Sequence, residues 1–209
     1  MTPTDYLLPA ALGLALAACS GFRVFVPLLA ACIAYRTGYL APSPGFAWLG
    51  SGAALAVLAT ATVVEMLGYY VPVVDNFLDT ITTPAAAVAG TLLMTSSLPE
   101  LSPVLRWGLG VLVGGGAAGL VQTGTAVLRA GSTASTGGLA NPLFTTLENV
   151  LAVVGATLGL LVPLIMAGLL VLALGLIIVL LTKWFWRWWS RGRQRMREAA
   201  PNPGPPNQV

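Results

Sequence analysis

The sequence predicts an all-α integral membrane protein, a compact bundle of about six transmembrane helices, with five as the alternative count. Three observations carry this. Hydrophobic residues fill 56% of the 209 positions and charged residues only 8%, where a soluble domain carries about 25%. Mean hydropathy is +0.84. The apolar runs are continuous rather than alternating, which argues against a barrel, and at ~20 residues per span the length allows roughly five to seven helices.

The first segment covers about 6–35. A helix of that length would be ~45 Å, more than one hydrocarbon thickness. It holds Ser20-Gly21 and Pro27 in its middle, so it reads either as a tilted, kinked helix or as two half-helices meeting near Gly21. It has no basic leader and no polar cleavage site, and reads as a retained span. "RTGYLAPSPG" is a loop, and segment two covers about 48–70 with Glu65 near its end. Segment three, about 76–95, carries Asp79 and Pro84. Segment four, about 105–128, contains "GGGAAG" around Gly115, and "RAGSTASTGGLANP" reads as a third loop. Segments five and six, about 143–162 and 164–181, are parted only by "LLVPL" with Pro163. One long kinked helix is the competing reading there. Gly21, Pro27, Pro84, Gly115 and Pro163 are the candidate helix breaks.

Residues 1–182 make the membrane domain. Residues 183–209 hold an aromatic belt, a basic juxtamembrane run and a Pro-rich end expected to be disordered. Trp184, Trp186, Trp188 and Trp189 precede Arg191, Arg193, Arg195 and Arg197, with Arg187 among the tryptophans. By the positive-inside rule this end is cytoplasmic. Six spans then put the N-terminus inside, and five put it outside. The arginines are an anchor and topology signal, or an anionic-lipid site. Arg129 falls at the end of segment four, on the cytoplasmic side in the six-span reading.

The chain has no histidine, which removes imidazole metal sites and His-based acid–base catalysis. Cys19 and Cys32 sit ~20 Å apart along one helix, beyond disulfide reach, and read as small packing residues. No metal, cofactor or nucleic-acid signal is present. A faint internal echo links 13–32 with 108–130, and 79–90 with 148–159. An inverted repeat is one plan that would produce it.

Charged side chains inside a bilayer cost ~3 kcal/mol or more, so they need partners or water. Arg23, Glu65, Asp79 and Glu148 stand out. Asp75 and Asp79 share a helix face. A cation between them, or a proton on one, would relieve their repulsion. Asn141, Thr145 and Glu148 share another face, with Asn141 expected as N-cap and Pro142 as the first helical residue. Arg23 is expected to pair with Glu65, Asp79 or Glu148. If the acidic faces meet, they make an oxygen-rich site suited to a hard cation or a proton, with Arg23 at its edge.

"SGFRVFVPLL", "VVEMLGYYVPVVDNFLD" and "STGGLANPLFTTLENVLAVV" resemble the bacterial membrane-protein family catalogued as domain of unknown function 4126. The resemblance spans about 8–182. Its motifs fall on Gly21, Arg23, Pro27, Glu65, Pro72, Asp75, Asp79, Asn141, Pro142 and Glu148. One departure is Gly68-Tyr69-Tyr70, where the family pattern places a charged residue, so no charge pair is expected at that turn. The resemblance implies a small polytopic inner-membrane protein and confers no activity.

Function reads first as a transporter or channel for a small ion or solute, working through intramembrane carboxylates and a buried Arg. The alternative is a structural or assembly protein whose charges form a lock and whose small-residue faces bind partner helices, including a second copy of the chain. An enzyme is not expected, because no nucleophile–base pair, HExxH or Walker loop is present.

Overall fold

The computed structural model describes residues 3–98 and 101–198 and is all-helical over them. Contacts divide the chain into two units, Met1–Leu170 and Val171–Val209. The expectations for Arg187, Arg191, Arg193, Arg195 and Arg197 fall on side chains outside the described ones.

The first segment is two half-helices, α1 (Pro3–Cys19) and α2 (Phe25–Arg36). The chain leaves the helix at Ser20-Gly21, where the α-carbon of Gly21 lies against the Ala118 carbonyl with no room for a Cβ. Pro27 does not break anything. It is the third residue of α2, where its missing N–H is not needed for an intrahelical bond.

A 3-10 turn at Ala47–Gly50 leads into α3 (Gly52–Gly68), whose start is capped by the Ser51 side chain accepting from Ala54 N–H. Helix α4 (Pro72–Ser97) begins at a proline and runs straight through Pro84. A proline inside a transmembrane helix is tolerated when neighbouring hydroxyls take up freed carbonyls. Beside it the Thr83 hydroxyl donates to the Asp79 carbonyl at 2.8 Å, one residue before the Thr80 carbonyl, to which Pro84 has no N–H to donate.

Helices α5 (Pro103–Leu109) and α6 (Gly116–Thr136) are joined without a gap by a π-helical turn, Gly110–Gly115. Gly115 is therefore the end of a π turn and not a break. The expected third loop is also mostly helix. Small polar residues follow Arg129 for two further turns, and α6 stops only where Gly137 takes the left-handed conformation at φ 65°. Helix α7 (Asn141–Leu161) follows, and α8 (Pro163–Glu198) begins at Pro163. Val162 is pushed out of helical geometry to φ −136° by the proline after it.

Among the described residues, three stretches are long and apolar enough to cross a membrane: Phe77–Ser97, Pro103–Thr136 and Asn141–Leu161. Helices α1, α2 and α3 are apolar but shorter. The chain is thus a membrane protein by its helices.

The centre of the first unit is a seam of small residues. Gly90 of α4 and Gly114 of the π turn pack backbone to backbone, each leaving less space than a Cβ needs. Gly155 and Gly159 of α7 lie one turn apart against Cys19 and Ala15 of α1. Cys19 and Cys32 are free and buried, as small packing residues are. Apolar burial drives no helix association in lipid, so close backbone approach and polar bonds have to supply the cohesion.

Candidate functional site

Five residues separate α1 from α2, and Arg23 sits among them at 1% exposure. The break leaves the start of α2 with open N–H groups. Glu65 of α3 closes two of them: its carboxylate accepts from Val24 N–H at 2.7 Å and from Phe25 N–H at 3.0 Å. Pro27 has no N–H to satisfy. Glu65 is buried at 3% exposure, and its charge faces the positive end of α2. It is a helix cap supplied from a neighbouring helix.

The Arg23 side chain reaches α7. Its Nε donates to Asn149 Oδ1 at 2.5 Å. Its Nη1 donates to Glu148 Oε2 at 2.9 Å and to the Phe22 carbonyl at 3.0 Å, and Nη2 donates to the Thr145 carbonyl at 3.4 Å. Of the three acids expected as partners, Glu148 forms the ion pair.

A second arginine completes the cluster. Arg129 of α6 is buried at 4% exposure. Its Nη2 donates to the same Oε2 of Glu148, and its Nη1 lies 3.4 Å from Asp79 Oδ1. Arg129 thus belongs to the bundle interior, correcting its expected place at a membrane edge. The residues after it form helix rather than loop, so it stands seven residues inside the end of α6. Asp79 and Glu148 likewise stand seven residues inside the starts of α4 and α7. At 1.5 Å per residue all three lie about 10 Å from the ends of their helices.

Tyr69, in the turn after α3, packs its ring against both guanidiniums. The Arg23 Cζ is 3.9 Å and the Arg129 Cζ 4.5 Å from the ring centroid. Its hydroxyl donates to Asp79 Oδ1 at 3.1 Å and lies 2.8 Å from Thr82 Oγ1, which also accepts from Gln122 Nε2 at 3.2 Å. The turn that lacks a charged residue therefore meets the charges with an aromatic face.

Thr145 is fully buried, and its hydroxyl donates to the Tyr69 carbonyl at 3.4 Å. Asn141 is not the N-cap. That position falls on Ala140, and Asn141 is the first residue of α7. Its amide donates to Thr133 Oγ1 at 3.1 Å, tying the end of α6 to the start of α7. Asp75 lies in α4, and its side chain is outside the described ones. Among the described residues, both carboxylates of the cluster, Asp79 and Glu148, are ligated by Arg129, and no group of metal-ligating residues occurs; the expected oxygen-rich site also needs Asp75, so it falls partly outside the described side chains.

The cluster is closed on most sides. Asp79 is its exception, with 22% of its side chain exposed. A second polar chain leads outward from Arg23. Asn149 Nδ2 donates to Tyr70 Oη at 3.5 Å, and Tyr70 Oη lies 3.0 Å from Thr146 Oγ1 on the exposed surface.

Arg129 and Tyr69 are not site residues in the sequence reading, and Asn149 and Gln122 escape it; Thr82 lies on the helix face that reading assigns to Asp75 and Asp79. A signal existed for α6: Gln122, Thr125, Arg129, Ser132 and Thr136 recur at helical spacing. The echo between 79–90 and 148–159 has a structural counterpart. Both acids bind Arg129, and Gly90 and Gly159, eleven residues on, each sit at a helix crossing. The Gly-rich patches of the other echo differ, one being the α1–α2 break and the other the π turn.

Residues 10–183 match the family described as Domain of unknown function (DUF4126), and the chain belongs to that family. No curated protein and no solved structure matches it.

Proposed function

We propose that this member of the family is a transporter or channel for a small ion or solute in the bacterial cytoplasmic membrane, and that the Arg23–Glu148–Arg129–Asp79 cluster is where it works. The observation that carries this is the convergence of four buried or half-buried charges from the α1–α2 break, α4, α6 and α7 on one point. Ion pairs placed in a low-dielectric interior are a poor way to gain stability. Ionisable residues at membrane depth are characteristic of substrate and ion pathways. A broken helix beside the charges is the arrangement transporters use at their binding sites.

In this reading α1 and α2 count together as one broken crossing. With α3, α4, α5–α6, α7 and α8 they make six, and both ends of the chain face the cytoplasm. The arginines from Arg187 to Arg197 then meet anionic lipid headgroups, and the small-residue faces offer a surface for a second copy. The activity is not enzymatic.

The second reading, a structural lock, is favoured by one feature: every nitrogen of the Arg23 guanidinium already has an acceptor. Reconstituted protein separates the two. The transporter reading expects an ion flux in wild-type proteoliposomes that Asp79→Asn and Glu148→Gln each abolish while remaining folded and monodisperse. Undiminished flux in both variants, or none in the wild type across an ion screen, leaves the lock.

A further inference from the structure

The geometry points to a second binding place, at the far end of the helical stretch that carries Arg129: the Arg106 guanidinium, flanked by Trp107, holds the phosphodiester of a membrane phospholipid. This site is independent of what the charge cluster carries.

Arg23 shows how the chain treats a guanidinium it keeps for itself, with an acceptor for every nitrogen. Arg106 is left differently. Its Nη2 donates to the Pro44 carbonyl at 3.4 Å. Its Nε is buried without an acceptor, and among the described residues its Nη1 has none either. Its place is nonetheless set. The Arg106 Cζ lies 6.0 Å from the centroid of the Phe46 ring. Phe46 is buried and packs on Trp107, with centroids 5.9 Å apart. Pro44 and Phe46 belong to a loop that Ser43 fastens to the end of α4, its N–H donating to the Ser96 carbonyl at 2.9 Å. A guanidinium held in position with donors unused is a preformed seat for an oxyanion.

Depth says which oxyanion. Arg106 is the fourth residue of the apolar stretch Pro103–Thr136, about 5 Å along the helix from its start. That is headgroup level in a bilayer whose polar zones add several ångströms to each side of the hydrocarbon. The helix surface around and below it is apolar, with Val104, Leu105 and Leu112 exposed. Trp107 is exposed beside it, and Trp48 is exposed in the 3-10 turn that follows Phe46. Indoles settle at this level, and each brings a donor and no acceptor. Unused donors above an apolar surface match a phosphate carried on acyl chains. Soluble phosphate matches only the donors. In the six-crossing arrangement the lipid belongs to the leaflet facing away from the cytoplasm, the opposite one from the Arg187–Arg197 run.

Native mass spectrometry of the full-length protein in neutral detergent tests this. Phosphatidylglycerol is titrated against a glucosyl diacylglycerol with the same chains. The basic run at the C-terminus is identical in every variant, so differences between variants report the new site. Losing a charge-assisted bond should weaken retention of one phosphatidylglycerol about tenfold in Arg106→Gln. The glucosyl lipid should bind alike to wild type and variant. Arg36→Gln, which alters another arginine at the same end of the bundle, should bind phosphatidylglycerol as wild type does. Should Arg106→Gln fail to fold, Arg106→Lys keeps the charge without the planar fork and should fall between the two. Equal phosphatidylglycerol retention in wild type and both Arg106 variants overturns the inference. So does an equal loss in Arg36→Gln, which would mean diffuse surface charge, and so does displacement of the lipid by an equal concentration of glycerol phosphate, which would mean a soluble ligand. Glu100→Gln removes the acid nearest in sequence and should leave the retention in place. Retention that depends on Arg106 only in the Glu100→Gln background would give the seat to that carboxylate and overturn the assignment to lipid.

Discussion

Two regions of the bundle solve the same problem in opposite ways. Along the seam where Gly90 meets Gly114 and where Gly155 and Gly159 meet α1, helices are joined by the absence of side chains. Around Arg23, Asp79, Arg129 and Glu148 they are joined by the largest and most polar side chains the chain owns. The seam gains dispersion contacts and weak backbone interactions that need close approach. The cluster gains charge-assisted hydrogen bonds that need no close approach but tolerate no missing partner. The seam should therefore be sensitive to volume and indifferent to charge balance, and the cluster the reverse.

The sharpest way to break that contrast is Gly114→Val. A Cβ at this position meets the backbone of Gly90, which cannot move aside as a side chain would. Loss of folded protein is expected, read as absence of a monodisperse peak on detergent gel filtration. A normal peak would mean the helices can separate there and that the seam is not what holds α4 to α6.

Next in size is Arg23→Ala. It removes the donors to the Phe22 and Thr145 carbonyls and to Asn149 Oδ1, and leaves buried Glu148 with one of its two arginines. Breaking a buried pair costs ~3–5 kcal/mol in proteins generally, so a large fall in melting temperature is expected. Glu148→Gln in the same background should recover part of it, because the carboxylate left with a single arginine is then neutral. A double variant no more stable than the single one would show that charge balance is not the organising term.

Tyr69→Phe is a finer probe. It deletes the hydroxyl bonded to Asp79 and Thr82 but keeps the ring on both guanidiniums. A buried hydrogen bond is worth about 1 kcal/mol net, and thermal unfolding should register a loss of that order. Tyr69→Leu should lose clearly more. Equal losses would place the whole contribution in the hydroxyl and none in the cation–π contact.

The smallest effect is expected from Asn141→Ala. Its bond to Thr133 lies at the exposed end of α6 and α7, and surface changes usually stay within about 0.5 kcal/mol. A drop in melting temperature comparable with that of Arg23→Ala would extend the cluster to the helix ends.

Much of this was legible in the residues themselves. Continuous apolar runs with 8% charged residues leave no way to satisfy the backbone in lipid except helices. Ser20-Gly21 marked the break in the first segment, since glycine removes the Cβ and serine competes for backbone bonds. The rarity of charges made Arg23, Glu65, Asp79 and Glu148 conspicuous. These are local properties, carried by composition and by neighbours a few positions away. What only the tertiary structure decided is partnership. Arg23 had three acids within plausible reach, and α7 supplied the one that pairs, while Glu65 went instead to the two open N–H groups of α2. Arg129 looked like the end of a helix because Gly, Ser and Thr follow it. Those residues are weak helix formers alone and continue α6 here, which moves the arginine two turns into the interior. Pro84 reads as a break and is carried within α4. For Arg23, Arg129 and Glu65 the deciding bonds join elements whose approach no local pattern encodes. A charge in a membrane announces that a partner exists, and only packing says which one.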